Sequence, residues 1–113
     1  MKDQFTVTDS KVADSDIPEM MTTVADDSQY QRRFQGTQKL YGADAFASFA
    51  AAHVYVIGVG GVGSWVAEAL ARTAVGCVTL VDLDVLVASN VNRQLPALDS
   101  SFGQSKIATM GAR

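Results

Sequence analysis

The segment Gly58-Val59-Gly60-Gly61-Val62-Gly63 constrains this chain more than any other, because it sits between two stretches of opposite periodicity. Ahead of it, Val54-Tyr55-Val56-Ile57 is a short apolar run ending at a glycine, the pattern of a buried strand. Behind it, Val62, Val66, Ala69, Leu70 and Thr73 recur at helical spacing, with Glu68 and Arg72 on the opposite face. That spacing predicts a helix from about 61 to 74, stopped near Gly76. Val78-Thr79-Leu80-Val81 is a second apolar run, closed by Asp82. Strand, glycine turn, helix and strand make one βαβ unit, which is parallel and right-handed. The fold class is therefore α/β, with a Rossmann-like parallel sheet. Phe46, Phe49 and Ala50 predict a helix over 41–51, and another helix is expected to begin near Gly103 or Gln104. One crossover unit has too few strands to cover both faces of a parallel sheet, so the sheet is expected to be incomplete in this chain, cut before the domain is finished, and only marginally stable and catalytically inactive by itself.

Charge divides the 113 residues in two. Residues 1–29 carry seven acids against two bases, are rich in Asp, Ser and Thr, and lack a sustained apolar period, so they read as a disordered acidic leader. Residues 30–113 carry seven bases against five acids, a mildly basic domain. A single cysteine, Cys77, excludes a disulfide framework and a thiolate zinc cage within these residues, and reads as a small buried hydrophobe. No apolar run approaches the roughly 20 residues that span a bilayer, and the acidic start lacks a signal peptide's pattern, so cytoplasm is the expected compartment. His53 is expected at a solvent edge, and Trp65 is expected to pack rather than stack on a base.

The glycines suit a phosphate. Gly58 allows a tight turn, Gly60 lets backbone approach an anion, and Gly63 lets helix and strand pack closely. The helix N-terminus beyond them offers free N–H groups and a partial positive charge. Asp82, 19 residues after Gly63, is placed either to accept hydrogen bonds from ribose hydroxyls or to form a turn before Asp84. These features alone fit a dinucleotide enzyme equally well. Asn90, Asn92, Arg93 and Gln94 then crowd a polar loop where a crossover helix would ordinarily start, and Lys106 follows 13 residues past Arg93. Two cations returning to a phosphate site suit a triphosphate, although a lone Arg and a lone Lys also occur as plain solvated surface.

Taken together, Gly58–Gly63, Asp82-Leu83-Asp84, Ser89-Asn90-Val91-Asn92-Arg93-Gln94 and Gly103-Gln104-Ser105-Lys106 resemble, in order and spacing, the ubiquitin-activating-enzyme-like superfamily with its ThiF/MoeB/HesA adenylyltransferases. The resemblance covers 30–113. Arg33-Phe34, Leu40-Tyr41-Gly42, the run Gly63–Thr73 and Asn92-Arg93-Gln94 look most like the tRNA threonylcarbamoyladenosine dehydratase branch. Three positions depart from the pattern: Gly36 where relatives often carry a second arginine, Ala74 where a glycine is common, and Pro96 where a histidine is common.

The resemblance implies ATP and Mg²⁺ as cofactors. It implies nucleotide binding by Gly58, Gly60, Gly61, Gly63, Asp82, Asn90, Asn92, Arg93 and Lys106, with Arg93 and Lys106 also carrying catalysis. Neither a metal ligand nor a catalytic cysteine is expected among these residues. The implied reaction is adenylation of a carboxylate, that of the threonylcarbamoyl group on a tRNA adenosine, followed by cyclisation with net loss of water. Implied partners are tRNA, a second copy of the chain and a sulfur-transfer protein, with no DNA and no membrane. The rival readings are a sulfur-carrier adenylyltransferase, an NAD(P)-dependent oxidoreductase and an inactive nucleotide-binding fragment.

Overall fold

The computed structural model describes residues 5–7 and 27–113. Three parallel strands form the sheet: β1 (Phe5–Val7), β2 (His53–Ile57) and β3 (Cys77–Val81), in the order β1-β3-β2. β2 and β3 run in register from His53 opposite Cys77 to Ile57 opposite Val81. Both apolar runs predicted as strands are strands, each starting one residue earlier than read from sequence. β1 pairs Phe5 with Val78 and Val7 with Leu80, so three residues of the acidic leader lie in the sheet. The leader's residues 1–4 and 8–26 lie outside the described residues.

Helices precede, link and follow the strands: α1 (Asp27–Tyr41), α2 (Ala43–Ala51), α3 (Gly63–Arg72) and α4 (Lys106–Gly111). The sequence pattern missed α1 because only Tyr30 and Phe34 give it an apolar stripe. Those two rings meet at 4.9 Å and Tyr30 meets Phe46 of α2 at 5.8 Å, so the helix is held by a small aromatic cluster. A larger core gathers Val56, Val59, Val78, Leu80, Ile107 and Met110 beneath α3 and α4. On the other face of β2, Tyr55 and Ile57 are exposed.

α3 is rotated from the sequence expectation. Val62 and Val66 are exposed, whereas Ser64, Ala67, Glu68 and Ala71 are buried. The reason is proximity: a Cβ on Gly63 would lie 1.7 Å from the Gly58 carbonyl oxygen, so the helix is too close to the strand for large side chains between them. Small residues therefore fill the contact, and the valines turn outward. Its C-terminus closes with Val75 N donating to Leu70 O, and Ala74 stands at φ 69° in the left-handed region. A glycine would adopt that φ without strain, but the Ala74 methyl is buried with Phe34 and Phe46.

Glu68 faces inward because it is paired. Its carboxylate accepts from Arg72 at 2.8 Å and from Arg113 at 3.0 and 3.3 Å, tying α3 to a residue two positions beyond α4. Burial alone would raise the Glu68 carboxyl, but the Arg113 and Arg72 guanidiniums outweigh it and hold the group below its ordinary 4.5. A depressed folded value means the pairing contributes fully above about pH 4.5 and is lost as pH falls through the folded value. Thermal melts between pH 7 and 3 are expected to show this acid-side loss, about 1 kcal/mol given the exposure of Arg72, and Glu68→Gln is expected to flatten it.

Candidate functional site

The site gathers at the carboxyl ends of β2 and β3, where a parallel sheet presents its ligands. Gly58 leaves β2 at φ +89°, and its N–H donates to Val81 O at 2.8 Å, so the chain turns without leaving the sheet edge abruptly. α3 then starts with Val62 at its N-cap, which makes no side-chain capping bond, and with no acidic residue in the first turn. Ser64 N donates to Gly60 O at 3.1 Å, and no side chain caps the N–H groups beside it, which a helix N-terminus offers to water or to an anion.

Asp82 is fastened beneath this turn. Its Oδ2 accepts from Val59 N at 2.7 Å and its Oδ1 from Asp84 N at 2.8 Å. The turn toward Asp84 is made, and each carboxylate oxygen keeps a further lone pair beyond its backbone bond. The polar loop folds back over the glycines. Arg93 lays its stem across Gly61, where an added Cβ would lie 3.1 Å from Arg93 Cγ. Its guanidinium donates to Ser89 O at 3.0 Å and to Asn92 Oδ1 at 2.9 Å. Asn90 is buried, and its Oδ1 accepts from Val87 N at 3.0 Å, so its side chain shapes the loop from within.

Lys106 opens α4, one residue after the N-cap Ser105, rather than lying inside a helix begun at Gly103. It is buried, yet its Nζ reaches the exposed Asp84 carboxylate at 3.3 Å. Its backbone N–H donates to Asp84 O at 3.1 Å, within a short antiparallel ribbon that pairs Val85 with Ser105. The ribbon brings Lys106 back to β3's end across 22 residues.

Three residues make contacts that the sequence reading did not anticipate. Ser64 is fully buried, donates to Gly60 O and accepts from Leu95 N at 3.2 Å. Trp65, expected to pack, is 53% exposed and donates from Nε1 to Arg93 O at 2.9 Å. Gln94 is buried beside Gly60, and its Oε1 has no hydrogen-bond partner among the described residues. Serine and tryptophan in a helix's first turn carry no periodic signal. Only the helix-to-loop contact reveals them. Cys77, expected to be buried, is half-buried at the start of β3. His53 is exposed as expected, with Nε2 2.7 Å from Thr79 Oγ1.

Residues 30–113, the whole glycine turn, polar loop and lysine ribbon, match the model of the ThiF family. The chain belongs to the ThiF family. It is 46% identical over 93 residues to the tRNA threonylcarbamoyladenosine dehydratase of Haemophilus influenzae, covering 82% of this chain and 36% of that protein. Against the Escherichia coli dehydratase it is 48% identical over 93 residues, covering 82% and 34%. The crystal structure of the E. coli enzyme in complex with ATP superposes with a TM-score of 0.74 at 49% identity, over 75% of this chain and 35% of that one. This ThiF-family chain thus spans about a third of the length of these relatives, and its α/β, Rossmann-like architecture is theirs. Among the described residues, no helix is long and apolar enough to cross a membrane.

Proposed function

We propose that this chain supplies the nucleotide site of an ATP-dependent enzyme that activates a carboxylate by adenylation. The substrate proposed is the threonylcarbamoyl group of a tRNA adenosine. The observation that carries the reading is Arg93 lying over Gly61 at an uncapped helix N-terminus, with the Asp82 carboxylate alongside. The glycines and the aspartate serve a dinucleotide site equally well, but an arginine loop folded over the glycine turn suits the extra charge of a triphosphate. The ATP-bound relative supports the same choice.

In the proposed reaction a substrate carboxylate oxygen attacks the α-phosphorus and pyrophosphate leaves, giving an acyl-adenylate. An internal carbamoyl atom then displaces AMP and closes a ring. The carboxylate oxygen departs with AMP and a proton is released, so water is lost overall. The obstacle is charge: an anionic nucleophile must approach an anionic triphosphate. Gly60, Gly61 and Gly63 offer close backbone at the helix N-terminus, Asn90 and Asn92 hold the loop that carries Arg93, and Arg93 and Lys106 neutralise phosphate oxygens. Asp82 holds the ribose.

Magnesium is expected with the triphosphate, where it would neutralise phosphate charge. Among the described residues no three or more His, Cys, Asp or Glu side chains come together as a metal site, so no step here is assigned to it. A homodimer and a sulfur-transfer partner remain part of the proposal by family resemblance.

The test is a hybrid in which residues 30–113 replace the matching stretch of the E. coli dehydratase. ATP–pyrophosphate exchange that depends on threonylcarbamoylated tRNA is the expected result. Exchange stimulated instead by a sulfur-carrier C-terminus, or no exchange, overturns the reading. In the same hybrid, Asp82→Ala is expected to weaken ATP binding about 10- to 150-fold by calorimetry, since it removes a charge-assisted acceptor from a group that does not change charge in the reaction.

A further inference from the structure

The first turn of α3 does more than end the glycine loop. Its two consecutive residues reach across to the arginine loop at two points. Ser64 accepts from Leu95 N while donating to Gly60 O, and Trp65 donates to the carbonyl of Arg93 itself. Gly61 supplies a third constraint, since its missing side chain is the space that the Arg93 stem occupies. Arg93 is therefore fixed from both ends: its backbone by Trp65 and its stem by Gly61. Its guanidinium, by contrast, is held among the described residues by acceptors of its own exposed loop, Ser89 O and Asn92 Oδ1.

Trp65 is an unusual choice for such a bond. A large ring that is 53% exposed contributes little to the core, so core packing does not account for it. Its indole N–H is aimed at one carbonyl, that of the residue carrying the phosphate-facing charge.

We infer that Trp65 is a positioning residue that acts through Arg93, holding its backbone so that the guanidinium can leave Ser89 and Asn92 for the nucleotide phosphates without the loop shifting. The inference rests on the ATP-adenylation reading above. It goes further by giving the exposed tryptophan a task that neither the glycine pattern nor the phosphate loop contains. A fixed backbone with a free side-chain end lets the charge move while its anchor does not, and that kind of preorganisation serves the transition state more than the ground state.

The decisive experiment is a double-mutant cycle in the hybrid, comparing unsubstituted protein, Trp65→Phe, Arg93→Ala and the double variant. Trp65→Phe keeps a ring and removes the N–H. It is expected to slow single-turnover adenylation at saturating ATP about 3- to 10-fold, with ATP affinity within about twofold and an unmoved melting temperature. On the Arg93→Ala background the same change is expected to cost nothing further, because no guanidinium remains to be placed. Equal slowing on both backgrounds would mark Trp65 as merely structural and overturn the inference, as would no slowing on either. Should Trp65→Phe fail to fold, Trp65→Tyr carries the same cycle with the same expected non-additivity. If the unsubstituted hybrid bound no ATP, the adenylation reading would fall and this inference with it. If that hybrid adenylates normally while the cycle is additive, only the role of Trp65 falls.

Discussion

Gly63→Ala is expected to destroy the fold of the βαβ unit, whereas Gly61→Ala, two residues away, is expected to leave it folded and slow the reaction. A methyl at 63 would stand 1.7 Å from the Gly58 carbonyl oxygen, a backbone atom that cannot rotate aside. Relief requires α3 to lift from β2, which breaks the contact that buries Ala67 and Ala71. The cost is expected to be about 3 kcal/mol or more, a large share of the stability of a domain this small. At 61 the methyl meets only the flexible stem of Arg93, at 3.1 Å from Cγ. That stem can move, and the arginine moves with it. Denaturant unfolding with parallel adenylation rates in the hybrid separates the two: lost stability for Gly63→Ala, lost rate with a retained transition for Gly61→Ala.

The second large effect concerns the two cations. Arg93→Ala and Lys106→Ala are each expected to lower the adenylation rate about 10²-fold or more, or about 2.7 kcal/mol of transition-state stabilisation, with smaller losses in ATP affinity. In the proposed reaction the phosphate oxygens assigned to them change charge as pyrophosphate leaves, so such contacts would strengthen toward the transition state. Lys106→Arg is not expected to restore full activity. Lys106 is buried with its Nζ placed against Asp84, and a planar guanidinium is no equivalent of a compact ammonium point charge there. Single-turnover adenylation at saturating ATP reads all three. A rate loss for Asp82→Ala with only an affinity loss for Arg93→Ala would reverse the assigned roles.

Much of this arrangement was legible in the chain because the glycine turn ties a local pattern to a global one. Apolar runs of four residues, a glycine-rich break and helical spacing can satisfy one another in only one supersecondary unit, so β2, α3 and β3 followed within a few residues of their bounds. The facing of α3 did not follow. Hydrophobic spacing pointed to Val62 and Val66, but the helix packs through Ser64, Ala67 and Ala71, because backbone proximity at Gly58 and Gly63 favours small volume over apolar character. Glu68 misled for a related reason. A carboxylate reads as solvated until Arg113, 45 residues away, is seen to fork onto it. α1 was hidden because just two aromatics carry its inner face. β1 was hidden because three residues inside a polar, acidic stretch give no periodic signal, and their pairing with β3 is entirely non-local.

The site shows the same division. The gathering of Gly58, Gly60, Gly61, Gly63 and Asp82 around one turn was readable because each has a fixed place in the βαβ unit. Arg93 and Lys106 were readable only as part of a spaced set, since a single cation on a loop has no signature of its own. Ser64, Trp65 and Gln94 could not be found that way. Their meaning lies in which loop folds back over the helix, and only the tertiary contact states it.

The proposed function requires these glycines, with Arg93 above them, to hold a triphosphate and not a dinucleotide. The protein carries a single tryptophan, and that residue is bonded to Arg93, so its emission reports on the site directly. Titrating the 113-residue chain with ATP and with NAD⁺ in the presence of Mg²⁺, each competed against the other, tests the claim. The expected result is a saturable change in Trp65 fluorescence with ATP that NAD⁺ does not displace at equal concentration. Tighter binding of NAD⁺ than of ATP, or no response to ATP, would contradict it.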